Sequence, residues 1–330
     1  MKNADLLVTY AEVTKLVEKN GPRINELKKV SDSAGIFWLI AVWLTTGVAL
    51  LASVFLYHYD LRTFLFAYPL LIFIIAGRQG AFLQLIHEAS HKLITRDKKL
   101  NDNLGEWLCA APIGLSMAEY RKDHGRHHNH TNTARDCEND LLKYQETDIS
   151  KWPLRYLFIK DIFGISAIER VIYILKKKNS PSNEKYKNLR IVVLQVFLIV
   201  AAFQLDFLLY ILLWIVPLFT ANMVLMRVRG VAEHGLPKQI SIVPVDGREG
   251  AMLTRTLNSP SAQTSWIGKM VERILIGSLS INFHLEHHVV PNVPHYNLKK
   301  LYDILNIPKN IEGIENYKNG YFSSLFFKSR

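Results

Sequence analysis

Two long apolar stretches restrict the fold of this chain more than any other feature of its sequence. Residues 33–76 carry only Asp60 and Arg62 as formal charges, and residues 191–226 carry only Asp206. Each stretch is about twice the ~20 apolar residues that a helix needs to cross a bilayer, and each has its polar break near the middle. Soluble helices of this length usually show a polar face, and these do not. The sequence therefore predicts an all-α integral membrane protein.

The predicted architecture is two transmembrane helical hairpins, four spans in all, with a cytoplasmic helical cap that holds the histidines. Helices are expected at 35–57 and 62–86 in the first hairpin, and at 189–205 and 207–228 in the second. No repeat or long linker divides the chain, so we expect a single domain. Its segments are an arm at 1–34, the first hairpin at 35–86, a cytoplasmic loop at 87–188, the second hairpin at 189–228 and a cytoplasmic region at 229–330.

Basic residues predict the orientation of the chain in the membrane. The two short hairpin turns hold Arg62 alone, whereas Lys and Arg are frequent in the segments outside the spans. Because loops rich in Lys and Arg stay in the cytoplasm, both termini and the central loop are expected there. The net charge of +11 fits this topology and attraction to anionic lipid. With no basic recognition helix or stacking motif in the sequence, nucleic acid is not an expected partner.

Three clusters contain eight of the twelve histidines. On a helix, residues at i, i+3 and i+4 share a face with Cβ atoms about 5–6 Å apart, so each cluster can turn its imidazoles toward one point. That arrangement is typical of metal sites, and all three clusters fall on the same predicted side of the membrane. The clusters are His87 and His91; His124, His127 and His128; and His284, His287 and His288.

The residue types alone leave the metal and its chemistry open, because imidazole suits iron, zinc, copper and nickel. The first cluster, His87-Glu88-Ala89-Ser90-His91, also reads as the H-E-x-x-H signature of zinc proteases, in which the Glu is the general base. Such a site needs one further ligand and has no use for the two later clusters. Eight or more histidines suit two metals, and an iron pair held by nitrogen ligands can activate oxygen, whereas zinc has no redox chemistry.

The clusters resemble the histidine boxes of the membrane fatty acid desaturase superfamily, and of its bacterial members in particular. Those boxes have the forms His-x3–4-His, His-x2–3-His-His and His-x2–3-His-His. Matching flanks are Gly77-Arg78-Gln79-Gly80 before the first box, Tyr120-Arg121 before the second, and Pro291 and Pro294 after the third. The resemblance covers roughly residues 78–301. It implies that the eight box histidines bind metal, and that a ninth ligand follows the second hairpin, for which His234 is the candidate.

The resemblance also implies a reaction and its partners. Two non-haem irons, with O2 as co-substrate and two external electrons, would desaturate an acyl chain of a lipid or of a carrier-bound fatty acid. Hydroxylation of an alkyl or lipid substrate is the near alternative, because the outcome depends on substrate placement within about an ångström. The arm at 1–34 and the tail after Leu301 are too short for a fused haem domain. A separate electron donor, ferredoxin-like or another small redox protein, is therefore expected, at a bacterial inner membrane with the active site on the cytoplasmic side.

Two weaker alternatives are a membrane zinc protease that uses the first cluster and a metal-binding membrane protein without catalysis. Acidic residues near the boxes are candidate acceptors for the second ring nitrogen of a metal-bound imidazole. They are Glu88, Asp123, Asp136, Asp140, Glu233 and Glu286. Three histidines are not expected to bind metal: His58 in the outer turn, and His130 and His295, which lie outside the helical spacing of their boxes. His130 and His295 are close enough to a box to support its ligands instead.

Overall fold

Helices form the regular structure wherever the computed structural model describes the chain, as the sequence predicts. The described residues are 12–131, 136, 154–176, 187–204, 206–234, 266–306 and 320–322. Their helices are α1 (12–19), α2 (Gly21–Leu27), α3 (Asp32–Tyr59), α4 (Leu61–Ser90), α5 (Lys98–Leu104), α6 (Met117–His130), α7 (Leu154–Ile162), α8 (Ile165–Lys176), α9 (Lys187–Phe203), α10 (207–219), α11 (Ala221–His234), α12 (Trp266–Leu275), α13 (His284–Val289) and α14 (His295–Leu305).

α3 and α4 form the first hairpin, and each is long and apolar enough to cross a membrane. Ser31 caps α3 by accepting a hydrogen bond from the Ala34 amide at 3.3 Å. Asp60 caps α4 by accepting from the Arg62 and Thr63 amides, each at 3.2 Å. The acidic residue that interrupts the apolar stretch therefore ends one helix and starts the next.

α10 and α11 supply a third apolar stretch long enough to cross a membrane, Phe207–Gly230. Asp206 caps it by accepting from the Leu208 amide at 2.8 Å. α9 precedes it, but the apolar part of α9, Leu189–Val200, is shorter than a typical span. Among the described residues, three of the four predicted spans thus have the length and composition of a membrane crossing.

The first hairpin packs against α10, and its polar turn lies beside the start of that helix. The Tyr57 hydroxyl donates to Asp206 Oδ2 at 3.0 Å, which joins the end of α3 to the start of α10. The Tyr68 hydroxyl donates to the Leu212 carbonyl at 2.8 Å. The first of these hydrogen bonds joins the two polar breaks that the sequence predicts on one side of the membrane.

Exposed apolar side chains surround this end of the molecule. α3 exposes Leu44, Leu51 and Phe55, and Phe66 of α4 is 90% exposed. Soluble proteins rarely leave apolar surface open on this scale, so lipid is the expected surrounding. α4 changes character halfway along its length, because residues 75–90 are almost all buried. Its first half faces outward, and its second half packs among the helices that carry the other two histidine boxes.

Two glycines allow close packing of the first hairpin against the rest of the described structure. A Cβ at Gly35 would lie 2.0 Å from the Ile94 carbonyl oxygen, so the start of α3 touches the chain just beyond the first histidine box. A Cβ at Gly77 would lie 2.5 Å from the Ile274 carbonyl oxygen, where α12 crosses α4. Neither contact leaves room for a larger side chain.

Two helices run further than the predicted spans. α4 continues past residue 86 to Ser90, and α11 continues past residue 228 to His234. His87 and Glu88 therefore lie in the helix that forms the second apolar span. The predicted boundaries follow the loss of apolar character, which marks the edge of the lipid-facing surface and not the end of the helix.

Candidate metal centre

Side chains from α5 and α6 hold the C-terminal end of α4, where the first box lies. The last carbonyl groups of a helix have no partners within it. Arg121 donates from Nε to the Ser90 carbonyl and from Nη2 to the Ala89 carbonyl, both at 2.9 Å. Asn101 also donates to the Ala89 carbonyl at 2.9 Å. The turn that carries His87 is therefore bound directly to α6, the helix of the second box.

Asp102 fixes the Arg121 guanidinium in this position. Arg121 Nη2 donates to Asp102 Oδ1 at 2.6 Å, and the Lys92 ammonium contacts Oδ2. Burial acts to raise the pKa of Asp102, but hydrogen bonds from Arg121 and Lys92 outweigh it and lower that pKa below its usual value. Asp102 therefore stays ionised, and its contacts join α5, α6 and the end of α4.

α6 turns its box histidines inward and Lys122 and Arg126 outward. His124, His127 and His128 are buried, whereas Lys122 and Arg126 are exposed. In the third box, every residue of α13 from His284 to His288 is buried. The histidines of both boxes are therefore buried in the interior of the described structure.

Five imidazoles form the first pocket, with one ring nitrogen from each lying within 4.8 Å of all the others. Their Nε2 atoms make a chain of contacts in which neighbours are 2.9–3.0 Å apart. The order along this chain is His91, His124, His128, His287 and His87.

Hydrogen bonding cannot account for all of these contacts. A neutral imidazole nitrogen carries one proton or one lone pair in the ring plane, so each Nε2 takes part in one hydrogen bond at a time. Three of the five atoms have two Nε2 neighbours, so no more than two of the four contacts are hydrogen bonds at once. Two nitrogens bound at right angles to one metal at ~2.1 Å would be ~3.0 Å apart, close to the observed spacing. The donor type, burial and spacing fit a metal ion.

Three further imidazoles form a second pocket beside the first. His127, His284 and His288 are buried, and one ring nitrogen from each lies within 4.8 Å of the other two. The Nε2 atoms of His284 and His288 are 3.1 Å apart. The rings of His128 and His288 stack with centroids 4.3 Å apart, so the two pockets are adjacent.

The second and third boxes share their histidines between the pockets in opposite ways. His124 and His128, spaced i and i+4 on α6, enter the first pocket, and His127 enters the second. On α13 the i and i+4 pair enters the second pocket, and His287 enters the first. From these two boxes, each pocket thus receives two imidazoles of one box and a single imidazole of the other.

Burial keeps these imidazoles in the form that binds a metal. It lowers the pKa of His124 and of His287 well below the usual histidine value, and the neighbouring imidazoles lower it further. Neutral rings are the ligand form of histidine. Burial also raises the pKa of Glu286, within the third box, to about 8.

Three carboxylates lie next to pocket histidines, namely those of Asp136, Glu88 and Glu233. Asp136 Oδ2 is 3.0 Å from His127 Nδ1, which leaves the Nε2 of that ring for the second pocket. Glu88 Oε1 is 3.7 Å from His87 Nδ1.

Glu233 has a different position, because its Oε2 is 3.6 Å from the pocket-facing Nε2 of His284. Arg229 donates to both of its oxygens at 2.8 Å, and the Tyr321 hydroxyl donates to Oε1 at 3.2 Å. Of the remaining acidic candidates, Asp123 pairs with Arg126 at 3.7 Å, and Asp140 lies outside the described residues.

Eight of the nine histidines predicted to bind metal thus come together. The ninth, His234, ends α11, and its side chain lies outside the described part of the structure. His58 is exposed at the far end of α3, and His130 lies in the last turn of α6. His295, which helical spacing sets apart from the ligands, is 4% exposed and contacts Glu88 within the first box. The Pro-His pair after the third box gave no periodic signal that would have found it.

The fold and the pockets together define a membrane protein with a buried histidine metal site. The fatty acid desaturase family model matches residues 63–307, well over half of the chain, and the chain belongs to that family of oxidoreductases. It is similar to a dihydrorhizobitoxine desaturase of Bradyrhizobium elkanii, with 24% identity over 247 residues. The aligned region covers 71% of this chain and 66% of that relative.

Proposed function

We propose that this chain is an O2-dependent di-iron desaturase that introduces a double bond into an acyl chain of a lipid or a carrier-bound fatty acid. The observation that carries the proposal is the pair of adjacent buried pockets, built from eight imidazoles of all three boxes. A structural or protease-type zinc site needs no more than four protein ligands, whereas this inventory suits two metals. Family membership supports iron and oxygen chemistry.

Iron bound in both pockets would supply the oxygen activation needed to break an unactivated C–H bond. Each turnover would remove two hydrogens from adjacent carbons and, with two electrons and two protons from outside, reduce one O2 to two waters. The protein contributes the geometry of the imidazoles, which Asp136 and the Arg121–Asp102 cluster maintain. It also contributes burial, which excludes water from the pockets.

His234 is proposed as the ninth ligand, in the second pocket. Both histidines of the first box enter the first pocket, so the second pocket has no counterpart to them among the described residues. The end of α11 reaches this pocket, since Glu233 lies 3.6 Å from the pocket-facing nitrogen of His284. His234 is the next residue along the chain.

We further propose that the chain is a single domain with four spans, α9 being the fourth, in a bacterial inner membrane. The apolar residues of α9 support this, since Val193, Val196 and Phe197 are exposed as lipid-facing residues would be. The hydrogen bond between Tyr57 and Asp206 joins the two polar breaks at one end, which would be the outer end by the distribution of Lys and Arg. Both termini and the pockets would then be cytoplasmic.

A separate small redox protein is proposed as the electron donor. α6 exposes Lys122 and Arg126 on the face opposite its pocket histidines. A helix with its side chains is about 10–12 Å across, so a carrier docked there would approach the pockets closely. An acidic surface on the carrier would complement these charges.

Hydroxylation of an alkyl or lipid substrate is the alternative reaction, because the same metal pockets serve both outcomes. The zinc-protease alternative has less support. Glu88, which would be its general base, instead accepts hydrogen bonds from the backbone and side chain of His295.

The proposal is tested by expressing the chain in a host with a simple lipid composition and profiling its lipids by mass spectrometry. We expect acyl chains that have lost two hydrogens, and we expect them only when O2 is supplied. The His287→Ala variant should abolish this product, and the exposed His58→Ala variant should retain it. A gain of one oxygen in place of the loss of hydrogens would establish the hydroxylase. Unchanged lipids with a fully iron-loaded protein would contradict a lipid substrate.

A further inference from the structure

We propose that His295, which belongs to none of the boxes, is a positioning residue for the first pocket: it holds the Glu88 carboxylate against the side of His87 that faces away from the metal. The inference rests on the proposed function only in assuming that the first pocket binds metal. It is carried by a buried chain of contacts through three side chains on two helices, α4 and α14.

The contact between His295 and Glu88 is the outer link of this chain. His295 Nδ1 is 3.0 Å from Glu88 Oε2, and the His295 backbone amide donates to the same oxygen at 3.1 Å. The two side chains are only 5% and 3% exposed. Pro294, at the N-cap position of α14, makes no side-chain capping hydrogen bond. Glu88 supplies the missing acceptor, at a helix end where the dipole favours a carboxylate.

The His295 ring is itself held in place by α3. Trp38 packs edge-on against it, with ring centroids 5.5 Å apart and ring planes at 74°. The neighbouring Tyr296 hydroxyl accepts a hydrogen bond from the Ser31 amide at 2.8 Å, at the start of α3. The N-terminal end of α14 is thereby fixed, and so is the direction from which His295 reaches Glu88.

The inner link runs from Glu88 to His87. The second carboxylate oxygen, Oε1, is 3.7 Å from His87 Nδ1. On the opposite side of the same ring, His87 Nε2 is 2.9 Å from His287 Nε2 in the first pocket. A carboxylate beside Nδ1 favours the tautomer protonated there, which leaves the Nε2 lone pair for a metal. His295 therefore acts on the pocket through Glu88, without touching it.

Two substitutions separate this role from simple packing. In His295→Asn the amide nitrogen takes the place of Nδ1 and can still donate to Glu88, whereas in His295→Gln it takes the place of Nε2. Nε2 of His295 has no hydrogen-bond partner among the described residues, so an amide nitrogen in that position would not reach Glu88. The glutamine variant should therefore lose the side-chain hydrogen bond to Glu88. His58→Gln serves as the matched control, since His58 is exposed and remote from the pockets.

The measurements are cobalt(II) affinity, the visible absorption of bound cobalt(II), and thermal unfolding of the metal-free protein, all on the full chain in detergent. Losing such a partner typically costs 10–100-fold in metal affinity, and we expect about that loss for His295→Gln. We expect His295→Asn and His58→Gln to match the parent. Metal-free His295→Gln should unfold at a lower temperature, because Glu88 loses a buried hydrogen bond, and its loss of cobalt affinity should be confined to the first pocket.

Two results would overturn the inference alone: parent-like cobalt affinity in His295→Gln, or equal losses in the asparagine and glutamine variants. An equal loss of cobalt affinity at both pockets would also overturn it, since a general loss of stability would then explain the result. A parent protein that binds neither iron nor cobalt would refute the proposed function, and the inference with it.

Discussion

Replacing Arg121 with Met tests whether the link between the first two boxes holds the first pocket together. Methionine preserves much of the side-chain length but removes every donor. The Ser90 carbonyl would lose its partner, whereas Ala89 would keep its hydrogen bond from Asn101 and Asp102 would keep Lys92. A buried carbonyl left without a partner costs ~1–3 kcal/mol, and a hydrogen bond to a charged group contributes ~1.5–3 kcal/mol. We expect the free energy of unfolding to fall by about 2–4 kcal/mol.

The effect of Arg121→Met on metal binding should differ between the pockets. The first pocket joins α4 to α6, so it depends on the Arg121 contacts, whereas the second joins α6 to α13. We expect the first pocket to lose metal affinity by about 10–100-fold, the range typical of losing a residue that orients a ligand. The second pocket should bind metal nearly as the parent does.

Metal titration with separate resolution of the two sites, together with thermal unfolding in detergent, measures both effects. Lys122→Met is the matched control, because Lys122 is the next residue on α6 and its side chain is exposed. Parent-like stability and metal content in Arg121→Met would refute the role of this link. Equal loss from both pockets would also refute it, since the two sites would then not depend on separate helix contacts.

Three other changes have clear expected outcomes. Gly35→Ala should strongly lower expression and thermal stability, because its Cβ would lie 2.0 Å from a backbone oxygen, whereas Gly47→Ala, with nothing within 4 Å, should change stability little. Asp161→Asn should reduce the free energy of unfolding by about 3–5 kcal/mol, because it breaks a buried ion pair in which the Asp161 and Arg227 side chains are 0% and 3% exposed. A loss below about 1 kcal/mol would show that the pair contributes little. Asp136→Asn should weaken metal binding in the second pocket by about 10–100-fold, measured by cobalt titration, and should leave the first pocket unchanged.

Helical spacing predicted which histidines point inward, because the i, i+3 and i+4 positions of a helix share a face. Helical spacing could not predict which of these histidines enter the first pocket and which enter the second. His127 separates from His124 and His128, and that division depends on which part of each helix meets α13. Contacts between helices far apart in sequence determine this division, and the sequence of a single box does not show those contacts.

The contact between His295 and Glu88 is a second feature that helical spacing does not predict. His295 has no partner at helical spacing, so periodicity gave no reason to include it, yet the chain folds back after the third box and brings it to Glu88. The charge-free stretches likewise predicted the apolar spans but not where the helices end. Ser90 lies beyond the apolar stretch and is still helical, because Arg121 satisfies its carbonyl group.

The metal content of active protein tests the central claim most directly. Protein purified from iron-replete cells and shown to be active should contain about two irons per chain, one for each histidine pocket. Substituting His287, a residue of the first pocket, should lower both iron content and turnover far more than substituting His58. A preparation that is fully active with one zinc and no iron would contradict the account.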